Sequence, residues 1–260
     1  MGIPLDARAA PLLMPGYLAP AVDLLLAAVK PSQTLPTVLS GPWSALALSA
    51  FEERYPSARY VVLESMPPPA LAPVVTNAQR AYGRALPCPL KAHTAGTFVQ
   101  ALAGWDAASD AVALRECTRT LRPGGVFAGA FLMRGSFDAF FDAAREVCEA
   151  EALLEAAGVL QQAEAQFRAP DLLRALAARS GLVEVEVGLE ERGIPFADAK
   201  TFLTDAAVGS ILLRHVGVAD EASRGRLFQA VETALDTYFA GMGVTARVVT
   251  GVVRGVKPAD

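Results

Sequence analysis

Two histidines, three cysteines and two tryptophans in 260 residues leave this chain poor in the groups that hold metals or cross-link a fold. Cys88, Cys117 and Cys148 are widely separated and form no C-x-x-C pair, so neither a zinc site nor a disulfide framework is suggested. With His93 and His215 as the only imidazoles, no cluster of ligands can be assembled and no metal is expected. A basic stripe is lacking too. The net charge is −4 and the arginines are scattered, which argues against nucleic acid, because phosphates call for a concentrated positive face. No apolar run reaches bilayer length: the most apolar early stretch, 17–29, is short and carries Asp23. Neither a basic leader nor a cleavage signal surrounds it, so a cytoplasmic protein without a membrane partner is expected. A nucleophile elbow of the G-x-S-x-G type is absent, and no Ser-His-Asp triad can be built with a definite membership.

What the chain does have is an ample core. Hydrophobic residues make up 53% of it and charged residues 19%, a composition that folds. Leu18, Val22, Leu25, Leu26 and Val29 share one helical face over 17–29. After a linker with two prolines, Val38 and Leu39 predict a strand at 37–40, followed by a helix over 45–54 and a continuous apolar strand at 58–64. A helix is predicted over 70–83, and short strands near 88–93 and 96–103. The clearest helix spans 107–122, stopped by Pro123-Gly124-Gly125, and leads to a strand at 126–133. Helices over 136–156 and 170–180, a strand at 182–190, helices over 197–215 and 220–240, and a last strand at 246–256 complete the pattern.

Strand and helix alternate through the first half, which predicts βαβ units and a parallel sheet. About 55 mostly helical residues separate the final two strands, too many for a plain connection, and are a candidate lid. The expected organisation is one domain. A helical cap spans 1–35, a core 36–190, a lid 191–243, and a last strand and tail 244–260.

Three stretches carry a resemblance to a known family: "ALRECTRTLRPGGVFAGAFL" (113–132), "RAPDLLRALAARSGLVEVEVGLEERGIPFADAKTFL" (168–203) and "ALSAFEERYPSARYVVLES" (47–65). In this order they resemble the class I S-adenosylmethionine-dependent methyltransferases, nearest the small-molecule branch of the biotin and quinone pathways. The resemblance runs over about 17–256. It implies an α/β Rossmann-like fold, with a mostly parallel seven-stranded sheet, helices on both faces and a helical insertion before the last strand. It also implies S-adenosyl-L-methionine as cofactor and a small-molecule methyl acceptor.

The family's first strand ends in acid-x-Gly-x-Gly-x-Gly, where glycines allow positive φ and let the backbone approach the cofactor. Here the matching stretch is Val38-Leu39-Ser40-Gly41-Pro42-Trp43-Ser44. At most one glycine remains, Pro42 has no N–H to offer, and Trp43 brings a bulky ring. By position the resemblance assigns Ser40, Gly41, Trp43, Glu64 and His93 to cofactor binding. Glu64, at the tip of the second strand, suits a ribose diol because a carboxylate accepts two bonds; a solvated strand-end acid is the competing reading. His93 would face the adenine, where the family has an acid; a surface histidine is the alternative.

For substrate the resemblance points to Trp105, Arg134 and His215, with no catalytic residue assigned. Phe202 and Asp205 lie in the same insertion, and Asp138 and Asp142 are one turn apart on the helix after the fifth strand. Phe137, Phe140, Phe141 and Ala144 form a stripe expected to pack against the sheet or, if exposed, to meet a partner. The nominal expectation is methyl transfer to a small molecule. Its alternative is a non-catalytic relative that kept the scaffold and acts through a protein partner.

Overall fold

The structure is a computed structural model, and it describes residues 19–41, 44–64, 78–82, 88–101, 107–205, 208, 221–240 and 242–259. Seven strands form one sheet: β1 (Thr37–Ser40), β2 (Tyr60–Glu64), β3 (Ala78–Tyr82), β4 (Ala95–Gln100), β5 (Leu121–Leu132), β6 (Val183–Phe196) and β7 (Val244–Val256). Their spatial order is β3-β2-β1-β4-β5-β7-β6. β1 lies parallel between β2 and β4, and β7 is antiparallel to β5. Every residue of β1 and of β4 is buried, as expected of central parallel strands covered on both faces. The described helices are α1 (Ala19–Ala28), α2 (Ser44–Arg54), α3 (Ala107–Thr120), α4 (Asp138–Ala150), α5 (Leu154–Glu164), α6 (Pro170–Arg179), α7 (Ala199–Thr204) and α8 (Glu221–Tyr238). None of them is long and apolar enough to cross a membrane.

Four local expectations are corrected. Within 70–83, residues 78–82 form a strand, not a helix, because β2 offers a parallel partner from Tyr60↔Ala78 to Glu64↔Tyr82. Such tertiary pairing overrides local propensity. Residues 88–93 are irregular: the Glu116 carboxylate accepts from the Cys88 N–H at 3.1 Å, and Arg119 donates to the Cys88 carbonyl at 3.0 Å. Pro123-Gly124-Gly125 does not follow the helix as a stop. The helix ends at Thr120, and the three residues lie inside β5, where Gly124 and Gly125 exchange bonds with Lys257 at 2.9 and 2.8 Å. The expected long helix over 136–156 is two helices, divided near Ala152, which adopts φ 53°.

The chain falls into two compact units. A helical unit combines Met133–Phe167 with Glu191–Val249, so the segment after β5 belongs with the insertion predicted at 191–243. Its core is aromatic. Phe137, Phe140 and Phe196 each stack within 6.4 Å of Phe202, and Phe137 and Phe141 both meet Phe167. The stripe on α4 is therefore buried packing, not an exposed surface. The sheet unit holds the described residues up to Leu132, then Arg168–Glu190 and Thr250 onwards. Leu39, Leu48, Phe51, Phe98, Leu114 and Phe127 fill its core.

Candidate functional site

In an open α/β sheet the ligand crevice opens where neighbouring strands send their connections to opposite sides, at the strands' carboxyl ends. Here that point lies between β1 and β4. Ser40 ends β1 with 2% exposure, and its carbonyl accepts the Ala101 N–H at 2.7 Å, tying the two tips beyond the last ladder pair, Ser40↔Gln100. Gly41 follows at φ 104°, a conformation side chains resist. A Cβ on Gly41 would collide with the Ala101 carbonyl and stand 2.5 Å from Gln100 Nε2. The Gly41 carbonyl in turn accepts the Ser44 N–H at 3.1 Å, opening α2.

Gln100 completes this tip. It is 1% exposed, and among the described residues neither its amide oxygen nor its amide nitrogen has a hydrogen-bond partner. Leaving a buried polar group unsatisfied costs roughly 1–3 kcal/mol, so such groups are rare and call for a reason.

The fit of S-adenosylmethionine follows from these contacts. The family's glycines hold space open for the cofactor. Here the space left by the one described glycine is filled by β4, and the Ser40 and Gly41 carbonyls are both engaged. No carboxylate lies between Thr37 and Gly41. The described tip of β1 does not match the cofactor's polar end in the family's manner.

Of the other predicted site residues, the side chains of His93 and Arg134 are described. Glu64 ends β2 opposite Tyr82, its side chain lying outside the described residues. His93 is corrected: it is exposed, at φ 60°, two residues before β4, and its N–H donates to the Arg119 carbonyl. That is the amino edge of a parallel sheet, opposite the crevice. The strand before β4 in the chain is 78–82 and not 88–93, which puts His93 ahead of β4 and not at a strand tip. Arg134 is exposed in the turn after β5, within the helical unit. Trp43, Trp105 and His215 lie outside the described residues.

Other candidates have structural duties. Asp138 and Asp142 pair with Arg247 and Arg145, Asp205 accepts the Val208 N–H, and Phe202 is core. Burial pushes the Cys88, Cys117 and Cys148 thiols up, away from nucleophilic character. Among the described residues no group of three His, Cys, Asp or Glu side chains is placed to hold a metal ion. Gln100 was missed by sequence reasoning, although its signal was visible: an amide ending the strand "GTFVQ", in which Thr97 is the one other polar side chain.

No protein-family model matches the sequence, and no curated protein matches it. Solved structures match in fold. In the complex between the Haloferax volcanii Trm112 methyltransferase activator and a protein assigned as a methyltransferase, one chain is 16% identical with a TM-score of 0.57, over 99% of this chain and 97% of that one. A Bacillus halodurans protein also assigned as a methyltransferase is 13% identical, TM-score 0.56, over 92% and 99%. Phosphoethanolamine N-methyltransferase 2 of Haemonchus contortus, in complex with S-adenosyl-L-methionine, is 11% identical, TM-score 0.52, over 98% of this chain and 57% of that one. At such identities the likeness is one of architecture. The chain has the Rossmann-like fold of the class I methyltransferases.

Proposed function

We propose that this protein is a non-catalytic variant of the methyltransferase fold, a binding or assembly module that works with a protein partner. The observation that carries this reading is the tip of β1, where the room left by Gly41 is taken by the Ala101 carbonyl and the Gln100 amide. Pro42 and Trp43 support it from the sequence, since one offers no N–H and the other adds bulk where the family leaves space. A protein partner is a form this fold takes elsewhere, as in the Haloferax complex with an activator.

A second reading is S-adenosyl-L-methionine-dependent methyl transfer to a small-molecule acceptor. Glu64 favours it by ending β2, where the resemblance places a ribose-binding acid. The absence of a catalytic dyad does not separate the two, because holding donor and acceptor in line supplies roughly 7–11 kcal/mol by itself. On this reading Trp105, Arg134 and His215 serve the acceptor, and exposed Arg134 suits an acidic one.

Calorimetric titration with S-adenosylmethionine and S-adenosylhomocysteine separates them, with Glu64→Ala as control. The non-catalytic reading expects no heat at millimolar ligand. Micromolar binding that Glu64→Ala weakens would sink it and establish a working cofactor site.

A further inference from the structure

Among the described residues no strand lies beyond β6, so β6 is an edge of the sheet. The opposite edge, β3, has five residues, whereas β6 runs for fourteen. A long edge presents backbone N–H and C=O groups that a further strand can take up. Its part within the sheet unit, 183–190, reads "VEVEVGLE": three carboxylates and no base. Beside it lies a groove of about 290 Å³, lined by Leu24 and Ala27 of α1, Glu186 and Gly188 of β6, and Val252 and Arg254 of β7. Arg254 is engaged elsewhere, its Nε donating to the Ala28 carbonyl at 3.1 Å. Its Nη1 stands 3.9 Å from Glu186, whose side chain is 75% exposed, so that carboxylate remains open to a closer cation.

Gly188 is the residue that this chain does not account for. Gly129 and Gly255, on β5 and β7, are glycines for want of room: a Cβ would stand 2.8 Å from Phe127 and 3.0 Å from Leu182. At Gly188 a Cβ would meet nothing within 4 Å, and the backbone does not take a positive φ. Glycine weakens a strand interior, and where it is kept it often marks the close approach of another backbone.

We infer that the 183–190 edge of β6 docks an extended, basic segment of a protein partner, which adds to the sheet as a further strand. The inference rests on the reading of this chain as a module for such a partner and names the surface. Glu184 and Glu186 are exposed and two residues apart, so cations at alternate positions of an incoming strand face them. A large apolar side chain on that strand, opposite Gly188, folds over the glycine and into the groove. Backbone bonds along the edge supply affinity, and the charges and the groove supply selection. Acids on an edge also discourage self-pairing, but that duty has no use for a glycine.

The test titrates the full chain with two labelled peptides, TKTKTFT and TFTKTKT, which present the same groove-facing side chains in parallel and antiparallel order. Controls replace their lysines by glutamate, or the threonine between the lysines by proline, which cannot donate to the ladder. One of the two peptides should bind saturably below millimolar concentration and slow amide exchange at 183–190. Both controls should fail. Gly188→Val should cut affinity at least about tenfold, because its side chain occupies the room of the incoming one. Without peptide it should melt at the wild-type temperature or above, since a β-branched residue suits a strand and its Cβ has open space. Glu184→Lys with Glu186→Lys should reverse the preference toward the glutamate peptide. No saturable binding, binding by the proline form, or unchanged affinity in Gly188→Val overturns the inference. A fall of several degrees in the melting of Gly188→Val does so too, by making the glycine structural. Sedimentation of the chain alone adds one more outcome: a dimer that Gly188→Val dissolves would make the occupant a second copy and the inference wrong. The cofactor titration judges the underlying reading by itself. Silence in both assays strikes this surface alone, whereas cofactor binding beside peptide docking strikes the non-catalytic reading and leaves the surface.

Discussion

At φ 104°, with the Ala101 carbonyl where a Cβ would stand, Gly41 has two independent reasons to reject a side chain. The backbone strain alone is worth roughly 1–3 kcal/mol. Gly41→Ala should therefore lower unfolding free energy by about 2 kcal/mol or more, read from the urea midpoint. A change below about 0.5 kcal/mol would mean that the β1 and β4 tips are not in contact. Tyr60 gives a second residue-scale test. It is 1% exposed, and its hydroxyl has the Phe51 carbonyl at 2.9 Å and the Tyr55 carbonyl at 3.0 Å. Burial, with Glu52 and Tyr55 adding to it, pushes its phenol up to about 12 from 10.0. The folded state thus holds the proton more tightly than the unfolded chain. The stability this gives is whole below pH 10 and is lost as pH rises from 10 to about 12, by about 2–3 kcal/mol. Tyr60→Phe should remove that part of the alkaline decline in melting temperature.

Elements with a strong apolar pattern of their own were the legible ones. The apolar runs at 37–40 and 58–64, and the helices at 45–54 and 170–180, lie within a residue or two of prediction, because burial on both faces or one face imposes its own period. β3 was unreadable for the opposite reason: AQRAY has no apolar run, and its strand state comes from pairing with β2. The segment before β4 is held by a side-chain clamp. Glu116 accepts from the Cys88 N–H and from Arg119 at 3.0 Å, and the Arg119 bond and the N–H hold the Glu116 carboxyl below its usual value. A lowered carboxylate stabilises above its unfolded pKa and loses that contribution as pH falls through the folded one. Glu116→Gln should therefore flatten the acid limb of the stability curve below about pH 4.5. It should also raise amide exchange at Cys88, with a modest effect at pH 7, since Arg119 is partly exposed. In the helical unit, Phe202→Ala removes a ring that meets Phe137, Phe140 and Phe196. Its expected penalty is ~3–5 kcal/mol, with loss of near-ultraviolet dichroism. A penalty under about 1 kcal/mol would contradict the aromatic core.

For the molecule as a whole, composition sets the colloidal behaviour. With a net charge of −4 and an isoelectric point near 5.3, solubility should be lowest near that pH. Duplex DNA should not be retained at physiological salt, and a mobility-shift titration checks this; tight, salt-dependent retention would mean a basic face that the scattered arginines do not suggest. The sequence alone determined the alternation of strand and helix, the large core, the long helical insertion and the loss of glycines at the first strand's end, because each of these is written in local pattern and residue type. It did not determine the edge on which His93 stands, the union of 133–167 with the later helices, or what occupies the space beside Gly41. Those depend on which distant strands pair and how closely their backbones approach. Ser40 and Gln100 are sixty residues apart, and only the parallel register of β1 with β4 sets the buried amide against the glycine.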